Sequence, residues 1–258
     1  MKVVLFCGGL GMRLRDVSDA IPKPMVEIGY RPVLWHVMKY YAAFGHKEFI
    51  LCLGYKADVI KRYFAGYQEW ISNDFRLSAE RGVELLESDL DGWSINFVDT
   101  GYDATIGERL RRVREYVGDD ELFLANYSDN LTDFHLPTLI ERVQESDAVA
   151  GFVSVPPPSS FHISRSDAEG RVESIVESRA ADIWINGGYF VLRQEIFDHL
   201  HEGEELVVEP FARLIEQRRL IAMRHTGFWQ NMDTFKDHVH LNDLNARDQA
   251  PWKVWRKE

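Results

Sequence analysis

The sequence predicts an α/β protein built on a mixed, mostly parallel sheet flanked by helices. Three observations lead there. Short runs rich in Val, Ile and Leu alternate with helical periods through the first 155 residues, a pattern best satisfied by parallel strands joined through crossover helices. The first run, Val3-Val4-Leu5-Phe6-Cys7, is apolar without a break, as in a strand buried on both faces. A glycine-rich, basic segment follows that strand directly, and loops leaving the carboxyl ends of parallel strands are where open α/β sheets bind ligands.

Taken in order, residues 2–7 form the first strand. Gly8 to Tyr30 reads as loop, because Pro22 and Pro24 forbid a long helix. Pro32 suits a first helical turn. Val33, Leu34, Val37, Met38 and Tyr41 share one helical face, and Gly45 ends the helix. A second strand is expected at 47–53 and a second helix at 56–66. Residues 67–92 are polar and acidic without a period and read as an insertion or lid. A third strand (Ser94 to Val98), a basic helix (Thr105 to Val117), a fourth strand (Glu121 to Asn126), a helix (Pro137 to Glu145) and a strand at 147–155 follow.

The second half is more mixed. Pro156 to Ser160 makes a stiff turn, strands at 171–177 and 186–192 flank a loop, and helices at 193–200 and 208–217 precede a strand at 219–225. A helix starts at Thr234 and an aromatic tail spans Trp252 to Trp255. Those tryptophans suit a subunit interface in a homo-oligomer as well as they suit the core. The 258 residues show no repeat or dividing linker, so one domain is expected over 1–258.

The chain carries 30 Lys and Arg against 41 Asp and Glu, a formal net charge of −11. That balance argues against nucleic acid or an anionic membrane as partner, and an anionic substrate needs a local pocket of cations. No apolar run approaches the ~18 residues of a membrane span, and no signal-peptide pattern opens the chain, so a cytoplasmic enzyme is expected. Cys7 and Cys52 close two apolar runs and read as buried free thiols. His238 and His240, two residues apart, do not share a helix face and read as surface or core residues.

The segment Gly8-Gly9-Leu10-Gly11-Met12-Arg13-Leu14-Arg15 lets backbone N–H groups converge on phosphate oxygens without a Cβ in the way, and Arg13, Arg15 and Lys23 add charge. It lacks the Lys-Ser/Thr ending of a P-loop and the glycine spacing of a dinucleotide fingerprint. Gly-Gly-Leu-Gly-x-Arg-Leu with Pro22-Lys23-Pro24-Met25 resembles the signature of sugar-1-phosphate nucleotidyltransferases, most closely the bacterial glucose-1-phosphate cytidylyltransferases. Val26 to Gly29, Leu51 to Lys56, Val98 to Gly101, Trp184 to Gly188, Gly227 to Gln230 and Ala250 to Trp255 fit in order.

The resemblance implies a Rossmann-like nucleotidyltransferase fold. Residues 1–155 would hold the nucleotide, and 156–258 would form a smaller sugar-binding α+β part with the C-terminal helix. It implies Mg²⁺-dependent (Mn²⁺ as substitute) transfer of a nucleoside monophosphate, CTP favoured, to a sugar 1-phosphate. Arg13 would hold the leaving pyrophosphate and Lys23 the α-phosphate. Leu5, Cys7, Gly8, Gly9 and Gly11 would line the nucleotide, and Thr100, Gly101 and Thr105 the base. Tyr127, Glu177, Arg179, Asn186 and Gly187 would face the sugar, and Asp129 and Asp233 the metal.

Departures from the family pattern cluster on the acceptor side. Glu-Lys-Pro is here Glu177-Ser178-Arg179, and Pro-Pro-Gly-Arg-Phe-Gly is Pro157-Pro158-Ser159-Ser160-Phe161-His162. Gly-Asp-Gly is Ser128-Asp129-Asn130, and Gly-Gly-Arg is Gly107-Glu108-Arg109. Loss of an acceptor-phosphate lysine leaves a second reading open, a metal-dependent isomerase or mutase acting on a preformed sugar nucleotide. A third is a regulatory nucleotide-binding module.

Overall fold

The computed structural model describes residues 1–9, 21–157, 162–178 and 181–255. Among them seven strands form one sheet in the order β14-β10-β13-β8-β1-β4-β7: β1 (Lys2–Phe6), β4 (Glu48–Leu53), β7 (Ser94–Asp99), β8 (Leu122–Asn126), β10 (Ala150–Val155), β13 (Ile185–Arg193) and β14 (Leu220–Arg224). β13 runs antiparallel to both its neighbours, and the other pairs are parallel. The sheet is α/β, mixed and mostly parallel, as the alternation predicts. β13 and β14 come from the second half of the sequence, so both halves share it.

Burial on both faces explains the unbroken apolar strands. Val3 and Leu5 enter one core with α1 (Val33–Ala43), α5 (Leu136–Gln144) and Trp252. Val4 and Phe6 enter the other with α3 (Ile106–Arg112), α4 (Arg114–Val117) and α6 (Glu209–Glu216). Successive side chains of a strand point to opposite faces, so each residue of β1 finds an apolar partner.

The remaining elements refine the reading. The basic helix breaks at Val113 into α3 and α4. At the end of the expected loop, β2 (Glu27–Ile28) makes a hairpin with β3 (Arg31–Pro32), which lies just beyond it. The segment read as an insertion or lid contains a second hairpin, β5 (Phe75–Ser78) with β6 (Gly82–Leu85). Its base is tied down at Asp89, which accepts from Tyr67 Oη at 3.0 Å and Ser72 Oγ at 2.5 Å and pairs with Arg31 and Lys39. A third hairpin joins β11 (His162–Ser166) to β12 (Val172–Glu177). The helix α2 (Ala57–Ala65) lies where expected, and α7 (Phe235–Ala246) is capped by Thr234. Cys7 and Cys52 are buried and free. Trp252 is fully buried and donates from Nε1 to His36 Nδ1 at 3.3 Å, so it closes the core. Among the described residues no helix is long and apolar enough to cross a membrane.

Candidate active site

Strands β1, β4, β7 and β8 are mutually parallel and end at one edge of the sheet. Cys7-Gly8-Gly9, Gly54, Thr100-Gly101 and Tyr127-Ser128-Asp129 leave from that edge. The reversed strand β13 starts there, with Asn186 and Gly187 at its beginning.

Lys23 opens a short 3₁₀ turn, Lys23–Met25, closed by Val26 N donating to Lys23 O at 3.1 Å. Pro24 and Met25 are buried and anchor the turn from which the lysine side chain projects. Its Nζ lies 2.6 Å from Asp129 Oδ2 and also donates to Asp233 Oδ1. Burial works against the ammonium, but the two carboxylates outweigh it and hold the Lys23 pKa above its ordinary value. Burial pushes the Asp129 carboxyl upward, against the pull of Lys23.

Two turns bring the aspartates together. Ser128 adopts a positive φ of 68° and reverses the chain after β8. Its hydroxyl donates to Phe6 O at 2.8 Å, and its N–H donates to Asn126 Oδ1 at 2.7 Å. That leaves the Cys7 thiol to donate to Ser128 Oγ, 3.3 Å away. Burial raises this thiol to about 12, which makes it inert. β9 (Asn130–Thr132) then pairs with β15 (Trp229–Asn231), and Met232 N donates to Asp129 O at 2.9 Å. Asp233 follows, and its N–H donates to Asp237 Oδ2 at 3.2 Å within the capping box of α7. The same helix grips the Lys23 side: His238 Nε2 meets Glu27 O at 2.9 Å, and Gly29 N donates to Asn242 Oδ1 at 2.9 Å.

The nucleotide-side residues are placed less as expected. Leu5 and Cys7 are fully buried, and Cys7 N is spent on Cys52 O at 2.9 Å. Thr100 Oγ1 donates to Leu53 O at 2.8 Å, and Gly101 N donates to Asp99 Oδ1 at 3.0 Å. The hydroxyl that the sequence offers to a base is therefore turned inward, and the pair presents the surface of a turn. Thr105 is the N-cap of α3, accepting from Glu108 N at 3.1 Å and donating to Glu204 O at 2.7 Å, so its hydroxyl is also committed. Glu108 does not bring a free carboxylate to the acceptor side, because Arg111 and Arg112 bind it at 2.8 Å and 2.7 Å.

On the sugar side, Asn186 Nδ2 donates to Tyr127 Oη at 3.1 Å, and Asn186 Oδ1 accepts from Gly188 N at 2.8 Å. Trp229 Nε1 donates to Gly187 O at 2.8 Å. Glu177 lies exposed at the end of the separate β11–β12 hairpin, paired with His162. Gly11, Arg13, Ser159, Ser160 and Arg179 lie outside the described residues.

Sequence reading missed Arg109. Its Nη1 donates to Leu53 O, Thr100 Oγ1 and Gly101 O at 3.2, 2.8 and 2.9 Å. Its Nη2 donates to Gly8 O and Tyr102 O at 3.1 and 3.2 Å. One buried guanidinium thus fastens three loops of the strand edge, and it packs so closely on Gly8 that a Cβ there would meet Arg109 Nη1 at 2.1 Å and force it to shift. A signal was present: Arg109 falls on the stripe Ile106, Leu110, Val113, Val117, where a charge is out of place.

The donor set suits a hard divalent ion. Two carboxylates converge on one cationic centre, and among the described residues no group of three or more His, Cys, Asp or Glu forms a metal cluster. Mg²⁺ commonly takes one or two carboxylates and completes its octahedron with phosphate oxygens and water.

Residues 2–246 match the model of the Nucleotidyl transferase family. The chain belongs to that family. The nucleotidyltransferase is 41% identical over 257 residues to a relative named Glucose-1-phosphate cytidylyltransferase in Salmonella typhi, covering 99% of this chain and 100% of the relative. It is 26% identical over 262 residues to the Mannose-1-phosphate guanyltransferase of Kluyveromyces lactis, covering 97% of this chain and 67% of that one. Its structure resembles UDP-glucose pyrophosphorylase complexed with UDP-glucose, with a TM-score of 0.69, 14% identity and coverage of 96% and 98%. It also resembles HddC from Yersinia pseudotuberculosis, with a TM-score of 0.67, 22% identity and coverage of 95% and 99%. These structural likenesses establish the nucleotidyltransferase fold.

Proposed function

We propose that this enzyme, a sugar-phosphate nucleotidyltransferase, uses CTP and glucose 1-phosphate and makes CDP-glucose and pyrophosphate. An oxygen of the sugar phosphate attacks the α-phosphorus of CTP, the bond to the β-phosphate breaks, and pyrophosphate leaves with the electron pair. Such transfer depends on positioning and on neutralising charge. The observation that carries the reading is the Lys23–Asp129–Asp233 cluster at the carboxyl edge of the sheet. With nucleotide bound, the Lys23 ammonium would leave this pairing in part and face the α-phosphate. Asp129 and Asp233 would hold a Mg²⁺, replaceable by Mn²⁺, which when bound neutralises phosphate charge.

The main chain of Gly8 and Gly9, braced from below by Arg109, would support the triphosphate together with Gly11 and Arg13. Tyr127, Asn186 and Gly187 would face the sugar, with Glu177 and Arg179 closing that side. Arg179 is one residue from the position of the missing lysine and would supply the acceptor-phosphate charge. A nucleoside triphosphate substrate fits a cytoplasmic enzyme, and the chain would work as one unit because both halves contribute strands to the sheet.

The full-length relatives favour nucleotidyl transfer over the isomerase or mutase reading, which none of those quoted above carries in its name. The test is pyrophosphate release with Mg²⁺ and a panel of nucleoside triphosphates and sugar 1-phosphates. CTP with glucose 1-phosphate should give the highest kcat/KM. Turnover of a preformed sugar nucleotide without pyrophosphate formation from any pair would overturn the proposal.

A further inference from the structure

The two candidate metal carboxylates have matching surroundings. Asp129 gives Oδ2 to Lys23 and accepts from Asn130 Nδ2 at Oδ1, 3.4 Å away. Asp233 gives Oδ1 to Lys23 and accepts from Asn231 Nδ2 at Oδ2, 2.5 Å away. Each carboxylate therefore has one oxygen facing the cationic centre and the other facing an amide. Asn130 and Asn231 stand directly opposite each other in the β9–β15 ribbon.

One of the two amides is itself oriented by a neighbouring amide. Asn126 Nδ2 donates to Asn130 Oδ1 at 3.4 Å, and because an amide offers an acceptor at one end and donors at the other, this contact turns the Asn130 NH₂ end toward Asp129. Gln230 Nε2 spends its two protons on Asn231 O at 2.8 Å and Asp237 Oδ1 at 3.1 Å and so fixes the main chain of Asn231. Asn130 is 2% exposed, which leaves little room for it to rotate away.

We propose that Asn130 and Asn231 are positioning residues that make each aspartate offer a single oxygen to the divalent ion and so favour Mg²⁺ over Ca²⁺. The inference rests on the metal reading given above. An oxygen occupied by an amide N–H is a poorer second donor, so the carboxylate binds through one atom. Mg²⁺ demands near-ideal octahedral geometry, whereas Ca²⁺ takes six to eight oxygens and accepts bidentate carboxylates. Amides behind the carboxylates thus penalise the larger ion. Partners behind metal ligands typically change affinity by about 10- to 100-fold when removed.

The experiment uses the full chain with Mn²⁺ alone as the probe, read by its electron paramagnetic resonance and displaced by Mg²⁺ or Ca²⁺. Asn231→Ala should lower the Mg²⁺-over-Ca²⁺ preference about tenfold, with the melting temperature recorded as a check on folding. Asn231→Ser, which keeps a donor, should recover part of it. Asn130→Ala should shift the preference the same way; if that buried variant fails to fold, Asn231→Ala decides. A preference unchanged in Asn231→Ala, or both ions weakened equally, overturns the inference. If Asp129→Asn and Asp233→Asn bind Mn²⁺ as the unmodified protein does, the metal reading itself fails, and this inference fails with it.

Discussion

Lys23 Nζ meets Asp129 Oδ2 at 2.6 Å across 106 residues of sequence, and the same nitrogen bonds Asp233 Oδ1 across 210. Three distant segments thus converge on one ammonium, and the two carboxylates keep it charged against its burial.

Lys23→Met should lose activity, and it should also lose stability because two facing carboxylates are left without their cation. Removing a charge-assisted contact to a transition state costs roughly 10²–10³ in kcat, and initial rates of pyrophosphate release at saturating CTP measure it. The two aspartates, no longer neutralised, should make the variant gain more thermal stability from added Mg²⁺ than the parent does.

Arg109→Ala should unfold the strand edge. It leaves acceptors at Gly8, Thr100, Gly101 and Tyr102 short of a donor, while Leu53 O keeps Thr100 N and Oγ1, at about 1–3 kcal/mol for each buried group left unsatisfied. A fall in the urea midpoint corresponding to at least ~3 kcal/mol is expected. Arg109→Lys should not restore it, because a single ammonium cannot reach acceptors on both sides of a planar fork.

Thr234→Ala tests how Asp233, the proposed metal ligand, is seated. Thr234 and Asp237 form a capping box immediately after Asp233. Loss of such a cap costs ~1 kcal/mol, a fall in Tm of about 2–4 °C for a chain of this size. The concentration of Mg²⁺ needed for half-maximal activity should rise with little change in kcat at saturation.

Acid should weaken the protein partly through Glu108. Hydrogen bonding to Arg111 and then Arg112, opposed by burial, holds its carboxyl down from the ordinary 4.5 to about 2. A depressed carboxyl favours the folded state above its unfolded value, so that stability is present at neutral pH and is lost as pH falls from 4.5 to about 2. Urea denaturation across this range should show a shallower pH dependence in Glu108→Gln than in the parent.

Trp252→Ala should cost about 3–5 kcal/mol, the usual penalty for emptying a large buried aromatic site. Trp252 is fully buried against His36 and Phe228. A loss of stability that does not vary with protein concentration would separate this core role from a subunit interface.

The sequence by itself determined the order of the seven sheet strands and of the helices between them, and its family resemblance marked Lys23, Asp129 and Asp233 as candidates. Unbroken runs such as Val3 to Cys7 can be satisfied only by burial on two faces, and a lysine between two prolines has little conformational choice. Those are local constraints, written in neighbouring residues. Tertiary structure alone decided which strand reverses, that Thr100 and Thr105 turn their hydroxyls inward, that Arg109 ties three loops, and that Asn130 stands opposite Asn231. Each of these depends on which donor reaches a polar group from tens to hundreds of residues away, and no local pattern specifies that partner. Buried polar groups must be satisfied, but only the folded chain determines by whom.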